Sequence, residues 1–174
     1  MRSNKYSTRA RVRYLCQAAI IAALYTVLTC VVGAFGLASG AIQIRLSEAL
    51  CILPLFTPAA IPGLTLGCLV FNITSGAALP LDFLVGSLAT LLAALGMRCT
   101  RNVTVKGLPV LGMAFPALTN AVLVGWELSV YIGGGFWLNA LYVAIGEAAV
   151  LLTLGSALYY ALKARNLDRR LFGE

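Results

Sequence analysis

Four carboxylates, Glu48, Asp82, Glu127 and Glu147, stand within or beside long apolar runs, and a single arginine, Arg45, precedes the first of them by three residues. A charge inside an apolar region is costly and demands a partner, a bound cation, a proton or water. Amides and aromatic groups accompany the acids: Asn72, Asn120, Asn139, Tyr142, Trp126 and Tyr131. Carboxylates accept hydrogen bonds, amides both donate and accept, and aromatic faces stack on planar rings. The set is therefore suited to holding a polar small molecule within an apolar protein.

Catalysis is a poorer match. The chain has no histidine, which removes His-based hydrolases, intramembrane Ser–His proteases and His-ligated haem or zinc. No G-x-x-x-x-G-K-[ST] occurs, so the chain is not expected to hydrolyse ATP through a P-loop. Cys16, Cys30, Cys51, Cys68 and Cys99 lie in or at the ends of apolar runs without C-x-x-C spacing, as buried thiols do rather than metal ligands or disulfides. The four acids fall on separate segments, unlike the close pairs of a carboxylate-metal transferase. A binding or transport subunit is expected, with no cofactor, no metal and no enzymatic activity.

The elements that must position these groups follow from composition. Of 174 residues, 60% are hydrophobic and 11% charged, against roughly 25% charged in soluble domains, and the mean hydropathy is +0.91. An all-α integral membrane protein forming one bundle is expected over 1–174. The net charge of +7 is spatially sorted: Arg2, Lys5, Arg9, Arg11 and Arg13 precede the first apolar run, Arg98, Arg101 and Lys106 sit together, and Lys163, Arg165, Arg169 and Arg170 follow the last. This is the positive-inside pattern and reports topology, not a nucleic-acid partner. The segments 1–13, 98–107 and 163–174 are thus expected in the cytoplasm.

Placing three basic segments on one side requires an even number of crossings between consecutive segments. Four fit between Arg13 and Arg98 (14–36, 46–56, 59–75 and 83–97) and two between Lys106 and Lys163 (108–125 and 136–162), with 126–135 as an outer loop. The expectation is a multi-pass cell-membrane protein of six transmembrane helices with both termini cytoplasmic. The first run, 14–37, is longer than the apolar core of a signal peptide and is read as a span. The second is shorter than the about 20 residues a straight spanning helix needs. Residues 37–45 are therefore expected either to dip into the membrane or to begin that helix early, over a cavity in either case.

In this topology Arg45, Glu48, Asn72, Asp82, Asn120, Trp126, Glu127, Asn139, Tyr142 and Glu147 converge on the outer half of the bundle. Glu147 is roughly 17 Å below the outer end of its helix, and Asn139 and Tyr142 share its side. Alternatives stand beside the binding reading: Asp82 as an N-cap, Glu127 as a solvated loop charge, the aromatics as an interfacial belt, and Arg45–Glu48 as a structural latch. Gly133-Gly134-Gly135 suits either a mobile lid or a plain turn. On the first helix Ala18, Ala19, Ala22 and Ala23 make two small-x-x-x-small pairs, suited to packing within the bundle or to docking a separate membrane subunit.

The block Gln43-Ile-Arg45-Leu-Ser47-Glu48-Ala-Leu50, with Leu53-Pro54, Ile61-Pro62-Gly63-Leu-x-Leu-Gly67-Cys-x-x-x-Asn72 and Gly146-Glu147, resembles the QueT family. These are substrate-binding (S) components of energy-coupling factor transporters, associated with uptake of queuosine precursors. The resemblance implies a six-helix S component that captures a 7-deazaguanine from outside. It also implies a membrane scaffold (T) subunit and two cytosolic ATPase subunits as partners, with the small-residue face of the first helix docking the scaffold. Glu48 and Glu147 would divide the ligand's N–H edge and any cationic 7-aminomethyl group between them. Asn72, Asn120 and Asn139 would complete the hydrogen bonds, with Trp126 or Tyr142 stacking on the base. A stand-alone carrier protonated at Glu147, an S component for another vitamin-like compound and a purely structural subunit are the alternatives.

Overall fold

The computed structural model describes residues 3–35, 45–76, 78–105 and 107–172; the expected dip over 37–44 lies outside them. Among the described residues every extended element is helical. Helix α1 (Ser3–Ala34) leads to a 3₁₀ segment (Leu46–Leu55), then α2 (Ala60–Thr74), α3 (Asp82–Cys99) and α4 (Val110–Tyr131). After a glycine turn, α5 (Phe136–Val150) continues through a π-helical turn (Leu151–Gly155) into α6 (Ser156–Ala164), and a second π turn (Asp168–Phe172) follows. Among the described residues four stretches are long and apolar enough to cross a membrane: Thr8–Ala34, Asp82–Cys99, Val110–Tyr131 and Phe136–Ala164. Leu46–Leu55 and Ala60–Thr74 are apolar but shorter.

Neighbours in sequence are neighbours in space, so α1 through α5 form a serial wall, and the 3₁₀ segment touches every one of these helices as well as α6. Small residues set the close approaches. A Cβ on Gly63 would lie 2.8 Å from the Ala18 carbonyl oxygen, and one on Gly67 would lie 2.8 Å from that of Ala22. A Cβ on Gly125 would meet Ala140 at 2.8 Å. Without a hydrophobic driving force between helices in lipid, such backbone approach is a main source of packing energy. Ala18 is therefore buried against α2, with Ala22 beside Gly67, whereas Ala19 and Ala23 on the adjacent face are exposed.

The 3₁₀ segment is the departure from an ordinary six-helix reading. Its ten residues rise about 2.0 Å each, so it reaches about 20 Å where an α-helix of equal length reaches about 15 Å. Ser47, Glu48, Ala49, Cys51, Ile52, Leu53 and Pro54 are all buried. Pro54 lacks a donor for the last turn, and the Pro54 and Leu55 carbonyls instead accept from Arg98 Nη1 at 3.0 and 3.4 Å.

The basic segments meet at one end of the bundle. Arg13 Nη2 and Gln17 Nε2 donate to the Leu171 carbonyl at 3.2 and 2.8 Å. Phe172 stacks on Phe56, which packs against Tyr159, and a pocket of about 300 Å³ there is lined by Arg101 and Lys163 among others. A larger groove, about 780 Å³, runs along Arg9, Arg11 and Arg13. Both lie at this basic end, away from the acids.

Candidate functional site

The four acids and Arg45 come together at the other end, where all five are buried. Arg45 is the last residue before the 3₁₀ segment and lies over the Phe71 ring, 5.9 Å from its centroid. It is within electrostatic reach of Glu48, Asp82, Glu127 and Glu147, so among the described residues it is the cation these acids share. In a 3₁₀ turn, residues three apart eclipse. Arg45, Glu48 and Cys51 consequently share one edge, aligned with the polar side chains of α1.

Glu48 is held on both oxygens. Tyr25 Oη donates to Oε1 at 2.5 Å and Cys51 Sγ to Oε2 at 2.9 Å. Next to it Thr29 Oγ1 donates to Ser47 Oγ at 2.7 Å. Tyr25, Thr29 and Cys51 were not among the expected site residues. The signal was present: Ala18, Ala22, Tyr25 and Thr29 recur at helical spacing, so the small-residue stripe continues as a polar stripe on the same inward face of α1.

Glu147 is arranged differently. Asn120 Nδ2 donates to its Oε1 at 2.7 Å, while Oε2 is buried with no hydrogen-bond partner among the described residues. The π turn begins four residues later, and its Gly155 packs on Ile52 of the 3₁₀ segment. Wider turns of this kind often mark functional sites in helices.

Asp82 and Glu127 lie beside each other at the start of α3 and near the end of α4. Asp82 starts α3, but its Oδ2 accepts from the Leu79 amide, 2.8 Å away on the preceding turn. It therefore closes that turn and is not an N-cap. Glu127 is 0% exposed and lies beside the Asp82 carboxyl, with neither of its own oxygens in a hydrogen bond of ordinary geometry among the described residues. The expected outer loop over 126–135 is thus corrected: α4 continues to Tyr131, because nothing breaks the helix before Gly133. Only Ile132–Gly135 turns the chain, and Gly133, Gly134 and Gly135 have φ of 89°, 82° and 81°, angles that side chains resist. Asn139 ties this turn down, its Nδ2 donating to the Gly133 carbonyl at 2.7 Å.

The remaining candidates divide. Asn72 Nδ2 donates to the Asp82 carbonyl at 2.8 Å, leaving its Oδ1 buried and unpartnered, as is Ser87 Oγ on α3. Gly86 makes room for that amide, since a Cβ would sit 2.8 Å from Asn72 Nδ2. Tyr142 is half-buried, whereas Trp126 is 48% exposed, one residue from Glu127 but about 100° around the helix. Trp126 therefore stands with the outer apolar surface and not with the acids.

The arrangement can accept hydrogen bonds from a donor-rich ligand: four buried side-chain positions retain unused capacity in a region where each unmet group costs free energy. Comparison with known proteins bears on this geometry. Over 73 residues, 42% of each chain, the sequence is 40% identical to the "Queuosine precursor transporter QueT" of Lactococcus lactis subsp. cremoris (strain MG1363). The aligned stretch thus spans less than half of that relative. No solved structure matches the chain. The family described as QueT transporter matches residues 15–164, nearly the whole helical bundle, and the chain belongs to that family.

Proposed function

We propose that this protein is the substrate-capture subunit of an ATP-driven importer, taking a 7-deazaguanine queuosine precursor from outside the cell membrane and delivering it inward with an energy-coupling factor module. The observation that carries the reading is the orphaned Oε2 of Glu147 beside Asn120, deep in a bundle of the QueT transporter family. A 7-deazaguanine presents adjacent N–H donors that a carboxylate accepts, and a carbonyl to which an amide donates. Glu147 is the better acceptor of that edge than Glu48, which already accepts on both oxygens. Asn120 and the free oxygen of Asn72 complete the recognition, and Tyr142 is the aromatic group left for stacking. Glu48 then acts as a positioning residue, fixing Tyr25 and the 3₁₀ segment.

Six crossings with both termini inside accompany this role, the 3₁₀ segment and α2 serving as short spans. The exposed pair Ala19 and Ala23 on α1 is where the scaffold subunit docks, with two cytosolic ATPases supplying the energy. Topology is checked with a variant retaining only Cys99, an exposed residue at the basic end of α3. A membrane-impermeant maleimide should label it in inverted vesicles and spare it in right-side-out ones; labelling from outside overturns the assignment. The binding role is checked by calorimetry of the purified chain in nanodiscs with 7-deazaguanines, where saturable binding without ATPase subunits is expected. Absence of binding would reject substrate capture, and uptake by vesicles holding this chain alone would instead identify a self-sufficient carrier.

A further inference from the structure

The groove of about 780 Å³ at the basic end has walls held in place by named bonds. Gln17 of α1 joins all three of them. Its Nε2 donates to the Leu171 carbonyl of the C-terminal π turn at 2.8 Å, and its Oε1 accepts from Thr57 Oγ1, in the corner before α2, at 3.1 Å. Arg13 Nη2 adds a second bond to the Leu171 carbonyl at 3.2 Å, and Phe172 closes that wall by stacking on Phe56. The charge in the groove is one-sided. Arg9, Arg11 and Arg13 line it without an acid, whereas in the neighbouring 300 Å³ pocket Asp168 stands with Arg101 and Lys163. Arg9 and Arg11 are exposed, and no hydrogen bond or ion pair holds either to another described residue.

The helix that carries these arginines shows what meets them. The apolar span Thr8–Ala34 begins at the groove, so the cations stand where α1 leaves the hydrocarbon. Arg9, Arg13, Cys16, Ile20 and Leu24 follow one another at spacings of four, three, four and four, which is one helix face, and all five are exposed. From Arg13 to Leu24 is about 16 Å along the axis, half of a hydrocarbon core of about 30 Å. Free guanidinium groups at the head of an apolar track one leaflet deep match the two parts of a phospholipid, since arginine holds phosphate through paired N–H donors. An acidic peptide would engage the arginines and leave the track uncovered. We infer that this groove seats one anionic phospholipid, its phosphate and headgroup on Arg9 and Arg11 and an acyl chain along Cys16, Ile20 and Leu24. Basic residues beside a span attract anionic lipid in general; the walls bonded through Gln17 make this a single site.

The lipid site is independent of what the buried acids bind, and it is tested without a transported substrate. Native mass spectra of the delipidated full chain in a non-ionic detergent are recorded during titration with dioleoyl phosphatidylglycerol and with dioleoyl phosphatidylcholine, which share acyl chains and differ in net charge. The wild-type chain should take up one phosphatidylglycerol saturably and at least about ten-fold more tightly than phosphatidylcholine. Arg9→Gln combined with Arg11→Gln should remove about that preference while leaving Arg13 to hold the wall. Arg165→Gln combined with Arg170→Gln takes the same charge from the same end but outside the groove, and should change the affinity by less than about two-fold. Equal losses in the two double variants, or a ladder of phosphatidylglycerol adducts without saturation, would mean general attraction to a basic surface and overturn the site. Equal wild-type affinity for the two lipids, or displacement of bound phosphatidylglycerol by excess inorganic phosphate, overturns it as well. The comparison of lipids on the wild-type chain decides the matter even where a substitution folds poorly.

Discussion

Glutamine in place of Glu147 is expected to lower affinity for a 7-deazaguanine by about 100-fold while the chain stays folded. The substitution keeps size and preserves an acceptor oxygen for Asn120, so the 2.7 Å bond has a replacement. The orphaned Oε2, however, becomes an NH₂ group that points donors at the donors of the ligand. A hydrogen bond to a charged group contributes about 1.5–3 kcal/mol, and an opposed donor adds a further penalty. Since every 1.4 kcal/mol is ten-fold, a loss of about two orders of magnitude follows. Titration calorimetry measures the affinity, and thermal melting in the same nanodiscs checks the fold. An unchanged affinity would remove Glu147 from the site.

The largest effect on stability is expected at Gly67. Valine there places a Cβ 2.8 Å from both the Ala22 carbonyl oxygen and the Tyr25 Cβ, and neither backbone can give way without separating α1 from α2. Overpacking of this kind costs typically about 1–3 kcal/mol and more where backbone must move. The damage also propagates, because Tyr25 is one of the two donors to Glu48. A melting temperature lowered by several degrees and a weakened ligand affinity should appear together in Gly67→Val. Conversely, Ala19→Val, on the exposed face of α1, should leave the melting temperature unchanged.

Much of the helix order was legible because membrane spans announce themselves by length and by the polar residues that end them. The run read as 59–75 is α2 (Ala60–Thr74), and 83–97 is α3 (Asp82–Cys99). The 3₁₀ character of Leu46–Leu55 was hidden because that segment is buried almost all round, so no polar face betrays a three-residue period. The end of α4 was misplaced because Trp126-Glu127 reads as a polar loop, while the structure buries Glu127 and turns only Trp126 outward. The π turn inside the last helix left no mark in Leu151-Leu-Thr-Leu-Gly155 that composition distinguishes from an α-helix. For the candidate cluster, charge in an apolar chain was enough to single out Arg45 and the four acids, which the structure buries together. It was not enough to sort them, since whether an oxygen is spent depends on neighbours such as Tyr25 and Cys51, which arrive from elsewhere in the fold.

The 3₁₀ segment also constrains how the protein is made. Ten residues carrying Glu48, preceded by Arg45, form a weak membrane-insertion signal, because the two charges oppose insertion while each apolar residue favours it by only about a few tenths of a kcal/mol. Its polar side chains find their partners on α1, through Tyr25 and Thr29, and its terminal carbonyls find theirs on α3, through Arg98. Arg98 is synthesised more than forty residues after Leu55. During synthesis, then, the centre of the bundle is expected to complete its contacts after its walls: the Pro54 and Leu55 carbonyls gain the Arg98 side chain only when α3 has arrived, and the buried acid cluster, which draws on α3, α4 and α5, is complete only after that.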